Sequence, residues 1–212
     1  MIVKFNSFSR DLEQYSKFSI FLFHGSNEGK VIECKDSVLK FSRIQKRERE
    51  VINIYSNEMK KEDFLTLTSQ LKEQNIFGFM TILNIYLSNE RNNQELIQLI
   101  VDIKKSHNED VVVVIRSNQL PTRSKLRKIF ETQDSLILVP CYEDDDFEKN
   151  EFIKDFFLKE GLSLPSEQIN VISKRLSSQR LEVKNELEKI AIIVKNNPQQ
   201  DSENLYKNIL GS

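Results

Sequence analysis

Glycines, a lysine and a carboxylate directly after a compact β-rich run are the raw material of a phosphate site, and this chain has such a stretch. Gly25-Ser26-Asn27-Glu28-Gly29-Lys30-Val31 follows the run Phe18–His24. A Walker loop needs four residues between its first glycine and the Gly-Lys pair, then Ser or Thr for magnesium. Here three intervene, Val31 stands in the hydroxyl position, and Glu28 brings a carboxylate to where polyphosphate would lie. The second half of ATPase chemistry, an acidic pair at a strand end that holds the metal and polarises water, is missing too. Ser88-Asn89-Glu90 closes the Met80–Leu87 run instead. The loop at Gly25, Gly29 and Lys30 therefore reads as a degenerate nucleotide site, with no cofactor expected. Cys34 and Cys141 lie far apart in sequence, form no CxxC, and have only His24 and His107 to join them. That composition suggests neither a zinc site nor a disulfide framework, and no other metal site is expected.

Two further groups carry binding rather than bond chemistry. Ile76-Phe77 sits after the polar Lys72–Asn75 and before Gly78, beyond the stripe that a preceding helix would turn inward. Pattern alone allows two readings: the pair folds back as ordinary core, or it reaches water as two apolar anchors. Arg123, Lys125, Arg127 and Lys128 fall on the outward side of a helix whose Leu126, Ile129 and Phe130 point inward, with Lys104 and Lys105 as further candidates. Such a face either contacts phosphates or is simply solvated beside Glu131.

Composition limits what these groups can do. The chain has 212 residues, room for one large or two small domains, with 30% charged and 39% hydrophobic residues and a formal net charge of −1. With 31 basic against 32 acidic residues there is no global attraction to nucleic acid, so any DNA contact must be local. No apolar run approaches the length of a membrane span, and MIVKFNSFSRDLEQ lacks a signal-peptide core. A cytoplasmic protein without membrane partners is expected.

The elements that must position these groups alternate. Phe5–Lys17 reads as a short helix, Phe18–His24 as a strand, Val31–Phe41 as a helix, Arg43–Glu50 as a solvated loop and Val51–Tyr55 as a strand. Phe64, Leu67 and Leu71 then recur at helical spacing, and Met80–Leu87 reads as a strand covered on both faces. Asn92–Lys105 is an amphipathic helix, and Val111–Arg116, five consecutive β-branched residues and an arginine, is the strongest strand signal. A helix from Pro121 and a last strand at Ser135–Val139 follow. Strands and helices alternating at this spacing predict an α/β, three-layer domain with a mostly parallel sheet over 1–142, because parallel neighbours need crossover helices. Tyr142–Phe147 is an acidic hinge. From 143 to 212 the chain reads as a small all-helical unit: one helix through Phe152–Leu158 ending near Gly161, one opened by Ser163–Glu167, one over Leu181–Lys195, and a short one at Asn204–Leu210.

Taken in order, FLFHGSNEG, LKEQNIFGFMTILNI, VVVVIRSNQLPTRSKLRKIFE, VPCYEDD and RLEVKNELEKIAIIV resemble segments of the delta subunit of bacterial DNA polymerase III, the clamp-loader component that opens the sliding clamp. The resemblance covers nearly the whole chain. It implies an AAA+-like domain with a degenerate nucleotide site followed by a helical lid, without the family's third, helical collar domain. It also implies that Ile76 and Phe77 insert into a pocket on the clamp, with Ile76 where many members have Leu. The expected partners are the sliding clamp (beta subunit), the other loader subunits, and primed DNA within the assembled loader. The expected role is a non-catalytic subunit of a DNA-directed DNA polymerase holoenzyme. Its rivals are an active AAA+ ATPase using Lys30, and a DNA-binding module using the local basic face.

Overall fold

The computed structural model describes residues 1–72, 79–88, 93–106 and 108–196. The chain divides into two compact units, one of Met1–Ser26 and Lys30–Tyr142, the other of Asn27–Gly29 and the chain from Glu143 onward.

In the first unit, β1 (Ile20–His24), β2 (Arg49–Tyr55), β3 (Met80–Leu87), β4 (Val111–Ser117) and β5 (Ile137–Pro140) make one sheet in the order β2-β3-β4-β1-β5. Every pairing is parallel. Parallel neighbours cannot be joined by tight hairpins; α1 (Phe5–Arg10) precedes β1, and the connecting segments supply α2 (Glu28–Val38), α3 (Ser42–Gln45), α4 (Lys61–Lys72), α5 (Asn93–Ser106) and α6 (Lys125–Thr132). One sheet face packs its Leu22, Leu83, Val113 and Leu138 against Phe64, Leu67 and Leu71 of α4, Leu96, Leu99 and Ile100 of α5, and Leu126 and Phe130 of α6. The opposite face sets Phe21, Phe23, Ile82, Val112, Val114 and Val139 against Phe5 and Phe8 of α1, Val31, Cys34 and Val38 of α2, and Ile44 of α3. The result is the three-layer α/β arrangement that the alternation of patterns predicts, and the β-branched run of β4 is buried at Val111–Ile115 as its composition requires.

Element boundaries differ from the sequence reading where capping or burial overrides pattern. Helix α2 begins at Glu28 rather than Val31, so the glycine-containing turn is shorter than a phosphate loop. Helix α6 begins at Lys125, not at Pro121, because the Ser124 hydroxyl accepts the Arg127 backbone N–H at 3.4 Å and fixes the cap there. The charged Arg43–Glu50 run is no continuous loop: buried Ile44 anchors α3, and β2 starts at Arg49. Cover on both faces fails for β3 at Asn84 and Tyr86, which are only half-buried.

In the second unit α7 (Asp146–Lys159), α8 (Ser166–Arg175) and α9 (Arg180–Asn196) pack Ile153, Phe157, Ile169, Ile172, Leu187 and Ile190 together. The Asp145 carboxylate accepts the Glu148 N–H at 2.7 Å to start α7, and Gly161, at φ 75°, provides the left-handed residue just beyond its end. The helix expected at Asn204–Leu210 lies outside the described residues.

Candidate functional site

The loop after β1 is built so that its glycines meet protein. A Cβ placed on Gly25 would lie 1.9 Å from the carbonyl oxygen of Cys141, so only glycine lets β5's continuation pass. That approach is held by Cys141 N–H donating to His24 O at 2.7 Å and Gly25 N–H donating to Ser117 O at 3.4 Å. Within the second unit, a Cβ on Gly29 would lie 2.6 Å from the Leu181 nitrogen and 2.7 Å from Arg180 Cβ. Asn27, buried, donates from Nδ2 to Ser178 O at 3.0 Å and accepts the Arg180 N–H on Oδ1 at 3.3 Å. Lys30, which a phosphate loop would extend towards its anion, is buried with its ammonium 5.0 Å from the centre of the Phe5 ring. A phosphate cradle requires successive backbone N–H groups facing an open concavity. Here the approaches to both glycines are occupied by backbone and side-chain atoms of the chain itself.

The second unit contributes a charged knot that the sequence reading did not single out. Arg180, at the first turn of α9, donates from Nε to Asp144 Oδ2 at 2.7 Å and from its terminal nitrogen to Asp144 Oδ1 at 3.0 Å, while its guanidinium stacks 4.5 Å from the Phe152 ring centre. The Asp144 side chain is 2% exposed and that of Arg180 9%. Beside them, Glu143 accepts from the Ser178 hydroxyl at 2.9 Å and from Gln179 Nε2 at 3.4 Å. The fork geometry matches carboxylate bidentately, which is why arginine and not lysine serves here. The acidic hinge Tyr142–Phe147 carries no sequence signal that singles out Asp144 as the partner of Arg180.

A third cluster surrounds the end of β1. His24 is fully buried, and its Nδ1 accepts the Leu120 N–H at 3.3 Å, which puts the proton of the neutral ring on Nε2. No acceptor faces Nε2 among the described residues. Burial, aided by the Arg127 cation and opposed by Glu131, lowers the His24 pKa to about 4. Arg127 donates from Nε to Glu131 at 2.7 Å and from Nη1 to Leu120 O at 3.2 Å, and the Glu131 hydrogen bond raises its own pKa further. Of the four cations on the predicted α6 face, Arg127 is thus turned inward, whereas Arg123, Lys125 and Lys128 are exposed. Lys104 donates to Gln133 Oε1 at 2.8 Å, and Lys105 also has a partner.

Ile76 and Phe77 lie outside the described residues, as do Asn89, Glu90 and His107. In helix α4, which leads towards Ile76, Leu71 is buried and its carbonyl accepts from Asn108 Nδ2 at 3.2 Å. Cys34 and Cys141 are buried free thiols, and the described residues include no group of three or more His, Cys, Asp or Glu able to hold a metal ion. No described helix is long and apolar enough to cross a membrane.

No family model and no curated protein sequence matches this chain. Solved structures do. The Bacillus subtilis DNA clamp loader delta protein (YqeN) superposes with a TM-score of 0.57 at 12% identity over 88% of this chain. The Thermotoga maritima RuvB Holliday junction branch migration motor gives 0.55 at 13% identity over 96%, covering 66% of that chain. The fold is AAA+-like. A Rhizobiales Trip13 structure agrees, with a TM-score of 0.58 at 10% identity over 95% of this chain and 77% of its own. The chain spans 57% of the length of the B. subtilis delta protein. Identities this low speak for the AAA+-like fold alone.

Proposed function

We propose that this chain is a delta-type clamp-loader subunit: a non-catalytic member of a DNA polymerase III holoenzyme that binds and opens a sliding clamp during replication. The observation that carries the reading is the loop after β1, whose two glycines are closely approached by other parts of the chain and whose lysine lies over Phe5. A scaffold of this fold without a phosphate cradle acts by binding rather than hydrolysis. The likeness in fold to the B. subtilis clamp loader delta protein supports the same reading. In it, residues 1–142 are the AAA+-like domain, 143–212 the helical lid, and the protein works in the cytoplasm with the clamp, the other loader subunits and primed DNA.

Ile76 and Phe77 are the clamp-binding pair. Burying two such side chains at about 25 cal/mol per Å² supplies a few kcal/mol before the cost of association. Ring opening then needs no bond chemistry, because a ligand that binds the open clamp more tightly than the closed one shifts the equilibrium by that difference. Titration of the purified clamp is expected to show more than tenfold weaker binding by Phe77→Ala with helical content unchanged; equal affinity removes the site. Calorimetry with ATP and magnesium is expected to show no binding at physiological concentration, and a saturable heat abolished by Lys30→Ala would replace this reading with an active ATPase.

A second reading, direct DNA contact, draws on the exposure of Arg123, Lys125 and Lys128. Neutralising these three is expected to flatten the salt dependence of duplex binding by up to about 0.9 for each phosphate that is no longer neutralised. An unchanged slope would remove that face from the DNA path.

A further inference from the structure

Among the described residues, α1, α2 and α3 do not cover the whole of their face of the sheet. Its apolar cluster ends at Ile82 on β3 and Val114 on β4. Beyond that line, towards the β2 edge and the strand C-termini, the same face carries Asn53 and Tyr55 on β2, Asn84 and Tyr86 on β3, and Arg116 on β4. The register sets these residues in two rows, Asn53 beside Asn84 and Tyr55 beside Tyr86 beside Arg116. Parallel sheets of this kind are ordinarily covered on both faces, so a polar, aromatic corner calls for a reason. Tyr55 is 50% exposed, and Val51, on the same face of β2, 43%.

The corner is pre-organised. Asn84 Nδ2 donates to Asn53 Oδ1 at 2.7 Å, and Arg116 Nε donates to Asn84 Oδ1 at 3.0 Å. Arg116 lies 5.7 Å from the Tyr86 ring centre, and the Tyr55 and Tyr86 rings meet edge to face at 6.1 Å. These contacts fix the guanidinium through its Nε only. Among the described residues neither terminal nitrogen of Arg116 has an acceptor and no carboxylate is paired with it. The contrast within the same molecule is with Arg180, whose fork closes on Asp144.

We propose that this corner is a protein-docking surface for a partner segment that presents a carboxylate beside an aromatic side chain. The carboxylate completes the open fork of Arg116, the arrangement in which charge-assisted hydrogen bonds are strongest, and the aromatic group packs on the two tyrosine rings. Tyrosine and arginine held rigid at low entropic cost are the residue types that dominate binding energy at protein interfaces. Charge complementarity selects a peptide over a nucleic-acid strand, because among the described residues the corner offers a single cation, whereas tracking a phosphate backbone takes a row of them.

The test uses the whole chain and three fluorescent probes: an end-blocked peptide of alternating Glu and Phe, the corresponding Lys–Phe peptide, and a single-stranded oligothymidylate. Anisotropy is expected to show saturable binding of the Glu–Phe peptide alone, with NMR shifts at the Arg116 Nε–H and at the Tyr55 and Tyr86 rings. Arg116→Gln should weaken it about tenfold, Arg116→Lys less, and Tyr55→Ser, at an exposed edge position that leaves the fold intact, about threefold. Shifts centred elsewhere, equal affinity in Arg116→Gln and Tyr55→Ser, no peptide binding up to millimolar concentration, or tighter binding of the oligothymidylate at this face would each overturn the proposal. None of these outcomes depends on Ile76, Phe77 or the clamp.

Discussion

The loop after β1 and the corner formed by β2, β3 and β4 treat binding chemistry in opposite ways. In the loop, the groups that would serve a phosphate already face protein: Gly25 against Cys141, Gly29 against Arg180 and Leu181, Lys30 over Phe5. In the corner, Tyr55, Tyr86 and Arg116 are braced by one another yet keep an open surface and an open guanidinium fork. On the proposed reading, both features serve binding to other macromolecules. Predictions that disturb the closed region should therefore register as lost stability, and those at the open corner as lost binding.

The largest expected effect sharpens the closed side. Arg180→Ala leaves the Asp144 carboxylate, 2% exposed, without its bidentate partner. Removing one member of such a pair costs about 3–5 kcal/mol, most of it the uncompensated buried charge. A urea denaturation midpoint that falls steeply in Arg180→Ala, and recovers most of the loss in Arg180→Met combined with Asp144→Asn, is the expected pattern. Equal losses in the single and double variants would mean that packing against Phe152 matters more than charge.

Next in size is Gly25→Ala. The added methyl would sit 1.9 Å from a backbone oxygen, which cannot swing aside as a flexible side chain would. Overpacking of this sort costs about 1–3 kcal/mol, read as a lower melting temperature. Gly161→Ala is the control of the other kind: nothing lies within 4 Å of its Cβ, so only the strain of φ 75° is felt, and the loss should be about 1 kcal/mol.

These two glycines also show what was legible in the sequence. Gly161 could be read as a helix end because its role is local, set by the conformation of its own residue. At Gly25 the spacing shows a departure from a Walker loop, but that Gly25 and Gly29 lie against protein could not be read, because Cys141 and Arg180 are more than a hundred residues away. The same division holds for the fold. Strands and helices with a sustained apolar period, such as β4 and α4, were legible, along with the parallel α/β class they imply. The starts of α2 and α6 were not, since the first depends on packing and the second on a serine cap competing with a proline three residues earlier. The corner was hidden for a further reason: Asn84 and Tyr86 sit in an apolar run, and only the strand order reveals that they lie beside an edge strand, β2. Arg127 looked like a surface cation from its helical position, whereas its partners Leu120 and Glu131 draw it inward.

A last effect, comparable in size to the glycine changes, lies at the end of β1. His24 is held neutral, its pKa lowered to about 4 by burial and by Arg127, with Glu131 opposing. Between about pH 6.5 and pH 4 the unfolded chain therefore binds a proton that the folded chain refuses, so stability falls as pH falls. The contribution is fully present above the ordinary imidazole range and levels off below about pH 4, where the folded ring also accepts its proton. The expected loss between pH 7 and pH 5 is about 1–2 kcal/mol, measured as unfolding free energy against pH. His24→Asn, whose Oδ1 takes the place of Nδ1 as acceptor for the Leu120 N–H, has nothing to titrate, so the fall due to the ring should be missing from its profile over that window. A slope as steep in the variant as in the parent chain would assign the acid sensitivity to groups other than this buried ring.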